Sequence, residues 1–203
     1  TNRNSLSDDF AYVKIALSPL INNFGIYKTQ QIIDKICNQN KEIKLIFVCQ
    51  HVYFNQINWH NNLVFSTHST MHDNFFSIPH YSAIYDTSKI KEERDILFSF
   101  IGHCGTHKIR EELIKLYPDK CFSTEGTWMS EKYRDKYIEF LGRSKFTLCP
   151  RGTGCSSLRI YESLCMGSIA VIISDDLKLP YSEEWNNFSV RIDESDISNI
   201  EDV

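Results

Sequence analysis

Apolar and polar residues change places along this chain with two periods. Ala11 to Ala16 and Ile43 to Cys49 are short apolar runs that read as strands, and between them Ile32, Ile33, Ile36 and Cys37 recur at helical spacing. That order is one β-α-β unit. Asn62 to Ser66 reads as a further short strand, followed by a His-, Ser- and Thr-rich loop, Thr67 to Asn74, and the extended stretch Phe75 to Pro79. Ile96 to Ile101 is an apolar run closed by Gly102; Ile109, Leu113 and Leu116 with Tyr117 then keep helical spacing until Pro118 stops the helix. Cys121 to Ser123 is a short strand. Ser130 is placed to cap the next helix, whose Tyr133, Tyr137, Phe140 and Leu141 form one stripe, and Phe146 to Cys149 turns apolar again before Pro150. Beyond the loop Arg151 to Cys155, the stripe Leu158, Tyr161, Leu164 and Cys165 leads to a capping Gly167 and the β-branched strand Ile169 to Ile173.

Strands alternating with helices predict an α/β protein with parallel sheets flanked by helices. The charged interval Asp86 to Asp95 separates two differently organised halves, which places lobes at residues 1–95 and 96–203.

Composition adds limits rather than identity. The formal net charge of −4 argues against a surface built for nucleic acid, so any phosphate must be met by local basic residues. No apolar stretch approaches the roughly 20 residues of a membrane span. The chain begins at Thr1 without a charged-then-apolar leader, as expected of a cytoplasmic microbial or viral protein, or of a Golgi-lumenal one whose targeting segment was removed. Seven cysteines without a C-x-x-C pair read mainly as buried free thiols. The sequon Asn187-Phe188-Ser189 matters only in a secretory compartment.

The stretch from Phe146 to Gly167 carries the candidate chemistry: a strand, a small-residue loop and a helix. Gly152 and Gly154 let backbone N–H groups approach an anion, Ser156 and Ser157 add hydroxyls at the helix N-terminus, and the helix dipole favours negative charge there. Arg151 and Arg159 can each pair two phosphate oxygens. Glu162, one turn beyond Arg159, can accept hydrogen bonds from ribose hydroxyls; the plainer reading is a surface Arg159–Glu162 ion pair. Neither the G-x-x-x-x-G-K-[ST] loop nor the G-x-G-x-x-G fingerprint is present.

Arg143-Ser-Lys-Phe-Thr-Leu-Cys-Pro-Arg-Gly, Ser157-Leu-Arg-Ile-Tyr-Glu, Gly167-Ser-Ile-Ala-Val-Ile-Ile-Ser-Asp-Asp, Leu179-Pro and Phe188-Ser-Val together resemble the exostosin family, glycosyltransferase family 47. The resemblance is dense from Phe98 to Val190 and thin before it. It implies a GT-B-like fold of two Rossmann-like lobes, here with a shortened first lobe. It implies inverting transfer of a sugar from a nucleotide diphosphate donor, a UDP-sugar, to a glycan or glycoconjugate hydroxyl; no cofactor is expected, because Arg151 and Arg159 can meet the diphosphate without a metal. It further implies that Gly102 and Arg110 face the donor, the plainer reading of Arg110 being a solvated helix residue.

An inverting transfer needs a general base for the acceptor hydroxyl. His68, His72 and Asp73, on the polar loop of the acceptor-side lobe, are the candidates. No metal site is expected: His103 and His107 flank Gly105 in a loop, and Asp175-Asp176 reads as a turn after a strand. The competing hypothesis is a non-catalytic subunit or nucleotide-sugar-binding module; under either hypothesis a homo- or hetero-oligomer is a candidate assembly. A nucleotide-sugar hydrolase or epimerase is weaker, because no Tyr-x-x-x-Lys relay is present.

Overall fold

The computed structural model describes residues 10–82, 84, 87–124, 131–181 and 183–202. Ser130, expected as a helix cap, and Asp86, at the start of the charged interval, lie outside them. By its contacts the chain divides into two units, residues 1–79 with 178–180, and residues 80–177 with 181–203. Residues 80–95, placed before the boundary on charge alone, thus go with the second unit.

The first unit has a four-stranded sheet of β1 (Phe10–Tyr12), β2 (Lys44–Cys49), β3 (Leu63–Ser66) and β4 (Phe76–Ser77), in that order and parallel throughout. Helix α1 (Leu17–Gln39) is the crossover between β1 and β2. It is broken at Gly25, where φ of 76° takes a conformation that residues with a Cβ seldom adopt. Leu17, Ile21 and Ile33 of α1 pack with Leu45, Phe47 and Val64 of the sheet and with Phe54, Ile57 and Trp59 of the β2–β3 connection. β1 is shorter than the apolar run predicts. Among the described residues, only Val13 beyond it bonds the sheet, to Ile46 O at 3.0 Å, before the chain turns into α1.

The second unit has a five-stranded parallel sheet in the order β6 (Cys121–Ser123), β5 (Ile96–Gly102), β7 (Ser144–Pro150), β8 (Ile169–Ile173), β9 (Ser189–Ile192). Helix α2 (Lys108–Leu116) and the 3-10 segment Glu194–Asp202 cover one face, where Ile109, Leu113, Ile197 and Ile200 meet Phe98, Phe100, Leu148 and Val171. Helices α3 (Glu131–Arg143) and α4 (Leu158–Cys165) bury Tyr137, Ile138 and Leu141, with the following Met166, against Ile101 on the other face. Burial on both faces is why these strands read as continuous apolar runs rather than alternating ones. Gly167 ends α4 with φ of 67°, as the capping pattern predicts.

The architecture is α/β, two parallel sheets flanked by helices, in the GT-B-like plan with a shortened first lobe.

Two arginines fasten the second unit by backbone carbonyls. Arg94 donates to Leu141 O, Ser144 O and Met166 O at 2.7–3.0 Å, tying α3, β7 and the end of α4 together. Arg191 on β9 donates through Nη2 to Ser174 O, Asp175 O and Leu177 O and so holds the turn after β8. All seven cysteines are free thiols; Cys49, Cys121, Cys149 and Cys155 are buried and Cys165 is exposed.

Candidate functional site

Because β5, β6, β7 and β8 are parallel, their carboxyl ends and the loops that leave them share one edge of the sheet, the edge at which α/β sheets hold ligands. The loop 151–157 leaves β7 there, and Gly152, Gly154, Ser156 and Ser157 on it are all buried. Ser157 has the extended backbone of an N-cap, yet its hydroxyl makes no cap bond; instead its Oγ accepts from Arg159 Nη1 at 3.5 Å.

Arg159 is 6% exposed and lies inward. Its Nη2 donates to Ile101 O at the end of β5, 2.6 Å away, and its guanidinium sits 4.7 Å from the ring centre of Phe100 and 5.5 Å from that of Tyr137. Two aromatic faces and a carbonyl stabilise the cation where water does not reach it. Glu162, 2% exposed, accepts a hydrogen bond from the Tyr137 hydroxyl at 2.5 Å through Oε2. Burial holds its carboxyl above the usual carboxylate range, against the Tyr137 hydrogen bond and the Arg159 charge, which lower it. The surface ion pair is not what forms. Both groups are buried, and the bond Glu162 makes is to Tyr137.

Arg110, also buried, points from α2 across the same edge. It donates to Arg151 O at 2.8 Å, His103 O at 2.9 Å and Pro150 O at 3.2 Å, so it bolts the β5–α2 loop to the β7–α4 loop. Burial, and secondarily Arg159, lower its pKa to about 10. It is not a solvated residue: it is buried, and Nε, Nη1 and Nη2 each donate to a backbone carbonyl. A Cβ on Gly152 would lie 3.1 Å from its Nη2. Gly152 therefore makes room for this clamp.

Arg151 is held by acidic residues, with Nη1 3.5 Å from Glu194 Oε1 and 3.6 Å from Asp176 Oδ2. Asp175 accepts from the Glu194 N–H at 2.8 Å, which makes Asp175-Asp176 the turn its sequence suggests. His107 caps α2, its Nδ1 accepting from Ile109 N at 3.4 Å.

One feature unites the edge. Thr106 Oγ1, Thr124 Oγ1, Arg151 Nε, Ser156 Oγ, Arg159 Nε, Glu162 Oε1 and Ser174 Oγ are buried and make no hydrogen bond among the described residues. A buried polar atom left unsatisfied costs about 1–3 kcal/mol, so concentrating them at one edge marks a place prepared for something else to bond.

On the first unit the candidate bases are placed differently. Asp73 accepts from Thr70 N and Thr70 Oγ1 through Oδ2, at 2.6 and 3.1 Å, and from Phe75 N through Oδ1 at 3.0 Å, so it shapes its own loop. His68 is buried, and burial, then His51, pushes its pKa down to about 4. His72 is exposed.

The structure brings Gly102, Arg110, Arg151, Arg159 and Glu162, all candidates from the sequence, to one edge. Phe100 and Tyr137, which the sequence shows only as members of an apolar run and an apolar stripe, pack against the Arg159 guanidinium. A tyrosine on an apolar stripe needs a partner for its hydroxyl, and that was the available signal.

The second unit is thus a GT-B-like lobe with a buried cation and carboxylate at its strand ends. The chain belongs to the exostosin family: the exostosin GT47 domain model matches residues 26–203. It is similar to a probable glucuronosyltransferase of Oryza sativa subsp. japonica, 32% identical over 126 residues, 56% of this chain and 29% of the relative. It is also similar to a probable beta-1,4-xylosyltransferase of Arabidopsis thaliana, 34% identical over 77 residues, 37% of this chain and 19% of the relative. An exostosin-1 homolog of Caenorhabditis elegans is 39% identical over 72 residues, 34% of this chain and 19% of the relative. The chain spans less than a third of the length of these relatives. Among the described residues no helix is long and apolar enough to cross a membrane.

Proposed function

We propose that this chain is a glycosyltransferase that binds a nucleotide diphosphate sugar, a UDP-sugar, at the strand-end edge of its second unit and passes the sugar with inversion to a glycan or glycoconjugate hydroxyl. The carrying observation is the set of buried unsatisfied atoms, in which donors and an acceptor are sorted as such a ligand requires. Arg159 Nε, Arg151 Nε and Ser156 Oγ offer hydrogen to phosphate oxygens, while Glu162 Oε1 accepts from ribose hydroxyls. Names of glucuronosyl- and xylosyltransferases among the relatives support the same class.

In this reading Arg159 neutralises the diphosphate as it leaves, held in place before the reaction by Ile101 O and the two rings. Arg151 contributes only once its carboxylate partners share it with the ligand. The charge of the leaving group is met by side chains, which is the ground for proposing a donor site that works without a metal ion. Acceptor recognition is assigned to the first unit, and His68, His72 and Asp73 remain the base candidates.

A second reading, a nucleotide-sugar-binding module without transfer, is favoured by the state of those candidates: Asp73 is engaged with its own loop and His68 is held at about 4. A base so weak removes a proton from a hydroxyl poorly at neutral pH.

The test is calorimetric titration of the chain with UDP, GDP, CMP and their sugar conjugates, followed by a donor-hydrolysis and transfer assay. Binding of one nucleotide that is lost in Arg159→Ala supports the donor site; binding without turnover selects the module. Absence of binding by any nucleotide sinks both.

A further inference from the structure

Tyr137 stands in α3, on an element separate from the loop and helix that supply the phosphate and ribose contacts, yet it touches both key side chains. Its hydroxyl donates to Glu162 Oε2 at 2.5 Å and its ring lies 5.5 Å from the Arg159 guanidinium. With Oε2 engaged, the carboxylate cannot turn without breaking that bond, and Oε1 is left buried without a partner. Phe100, the second ring at Arg159, carries no polar group, so it can hold the arginine but not the acid.

We propose that Tyr137 is the positioning residue of the nucleotide site: it locks Glu162 so that Oε1 alone faces the ribose hydroxyls, and fixes Arg159 beside it for the diphosphate. This rests on the proposed function above. The residue takes no part in bond making. It removes the rotational freedom that the ligand would otherwise have to quench.

The arrangement has a pH signature. Ribose hydroxyls donate to an ionised carboxylate, so nucleotide affinity falls on the acid side as Glu162 takes a proton. The groups that face Glu162 are Tyr137 from α3, Arg159 on its own helix and Cys149 from β7. Tyr137 and Arg159 favour the ionised form, while Cys149, a thiol pushed up to about 12, stays neutral. Removing the Tyr137 hydroxyl therefore moves the acid limb to higher pH, an effect that a general loosening of α3 lacks.

The experiment is calorimetric titration of UDP into the 203-residue chain, wild type, Tyr137→Phe, Glu162→Gln and the double variant, between pH 5 and 8. Expected are a loss of about tenfold or more in Tyr137→Phe at neutral pH, an acid limb displaced upward, and no further loss when the change is added to Glu162→Gln. Wild-type binding with an unmoved limb in Tyr137→Phe, or with losses that simply add, overturns the proposal and leaves the donor site standing. No binding by wild type overturns both. Should Tyr137→Phe not fold, the infrared carboxyl band of wild-type Glu162, assigned by its loss in Glu162→Gln, decides. A band that shifts when UDP binds supports the locked acceptor, and one that stays put under saturating UDP overturns it.

Discussion

A Cβ on Gly102 would lie 2.5 Å from Nη2 of Arg159, the nitrogen that donates to Ile101 O. The same Cβ would come within 3.1 Å of the Phe100 ring, the other support of that guanidinium. Gly102 is thus kept small by the side chain that closes over it.

Gly102→Ala is accordingly expected to displace Arg159 and to cost about 1–3 kcal/mol of stability, the usual penalty for overpacking a filled site. Nucleotide affinity falls with it. Urea denaturation measures the first effect and calorimetric titration the second; an alanine variant with unchanged midpoint and affinity would show that Arg159 has room to move.

Arg110 yields a sharper contrast, because a clamp and a phosphate ligand respond differently to Arg110→Lys. Lysine keeps the charge but cannot reach Arg151 O, His103 O and Pro150 O at once. The expected result is a loss of about 3 kcal/mol in the ligand-free protein. If ligand-free stability is unchanged and only nucleotide affinity falls, the clamp reading is wrong.

These two positions also show what the sequence could and could not convey. Strand runs such as Ile169 to Ile173, and helical stripes such as Ile109 and Leu113, were legible because burial on one or both faces is written directly into side-chain type. Which arginine would face a ligand was not. Arg94, Arg110 and Arg191 all bond backbone carbonyls, and every residue carries a carbonyl, so the partner leaves no mark in the sequence. The break in α1 was hidden for a related reason, since Gly25 gives no sign of its φ until the flanking turns are packed. Glu162 was found by its spacing from Arg159, but its true partner comes from another helix, 25 residues earlier.

Glu162→Gln separates stability from binding. Burial raises the folded-state pKa of Glu162 above its ordinary value, so ionising it opposes folding. Its contribution is intact below the unfolded pKa and is lost as pH rises through the folded one. The glutamine variant, which never ionises, should therefore be as stable as wild type in mild acid and more stable at neutral pH, while nucleotide affinity drops. Thermal unfolding at pH 4.5 and 7.5, read as about one degree or more of relative gain at the higher pH, checks it. A variant less stable than wild type at pH 7.5 contradicts the burial argument.

His68 predicts the opposite limb for the first unit. Its folded pKa, lowered from 6.5 to about 4 by burial and by His51, lies below the unfolded value. A histidine buried neutral in this way supports the fold above its unfolded pKa, and that support is withdrawn as pH falls towards the folded one. Between pH 6.5 and 4 the loss amounts to at most about 3 kcal/mol at 1.36 kcal/mol per pH unit. His68→Asn should remove that part of the acid slope, at the cost of some stability at neutral pH from imperfect refilling of the site. The comparison is urea denaturation of both proteins at half-unit steps across this window. Parallel slopes would mean that His68 is already protonated in the folded protein at mildly acidic pH. A lasting difference would place its titration near 4, too low to serve transfer efficiently at neutral pH, and would turn the search for a base to the other polar groups of the first unit.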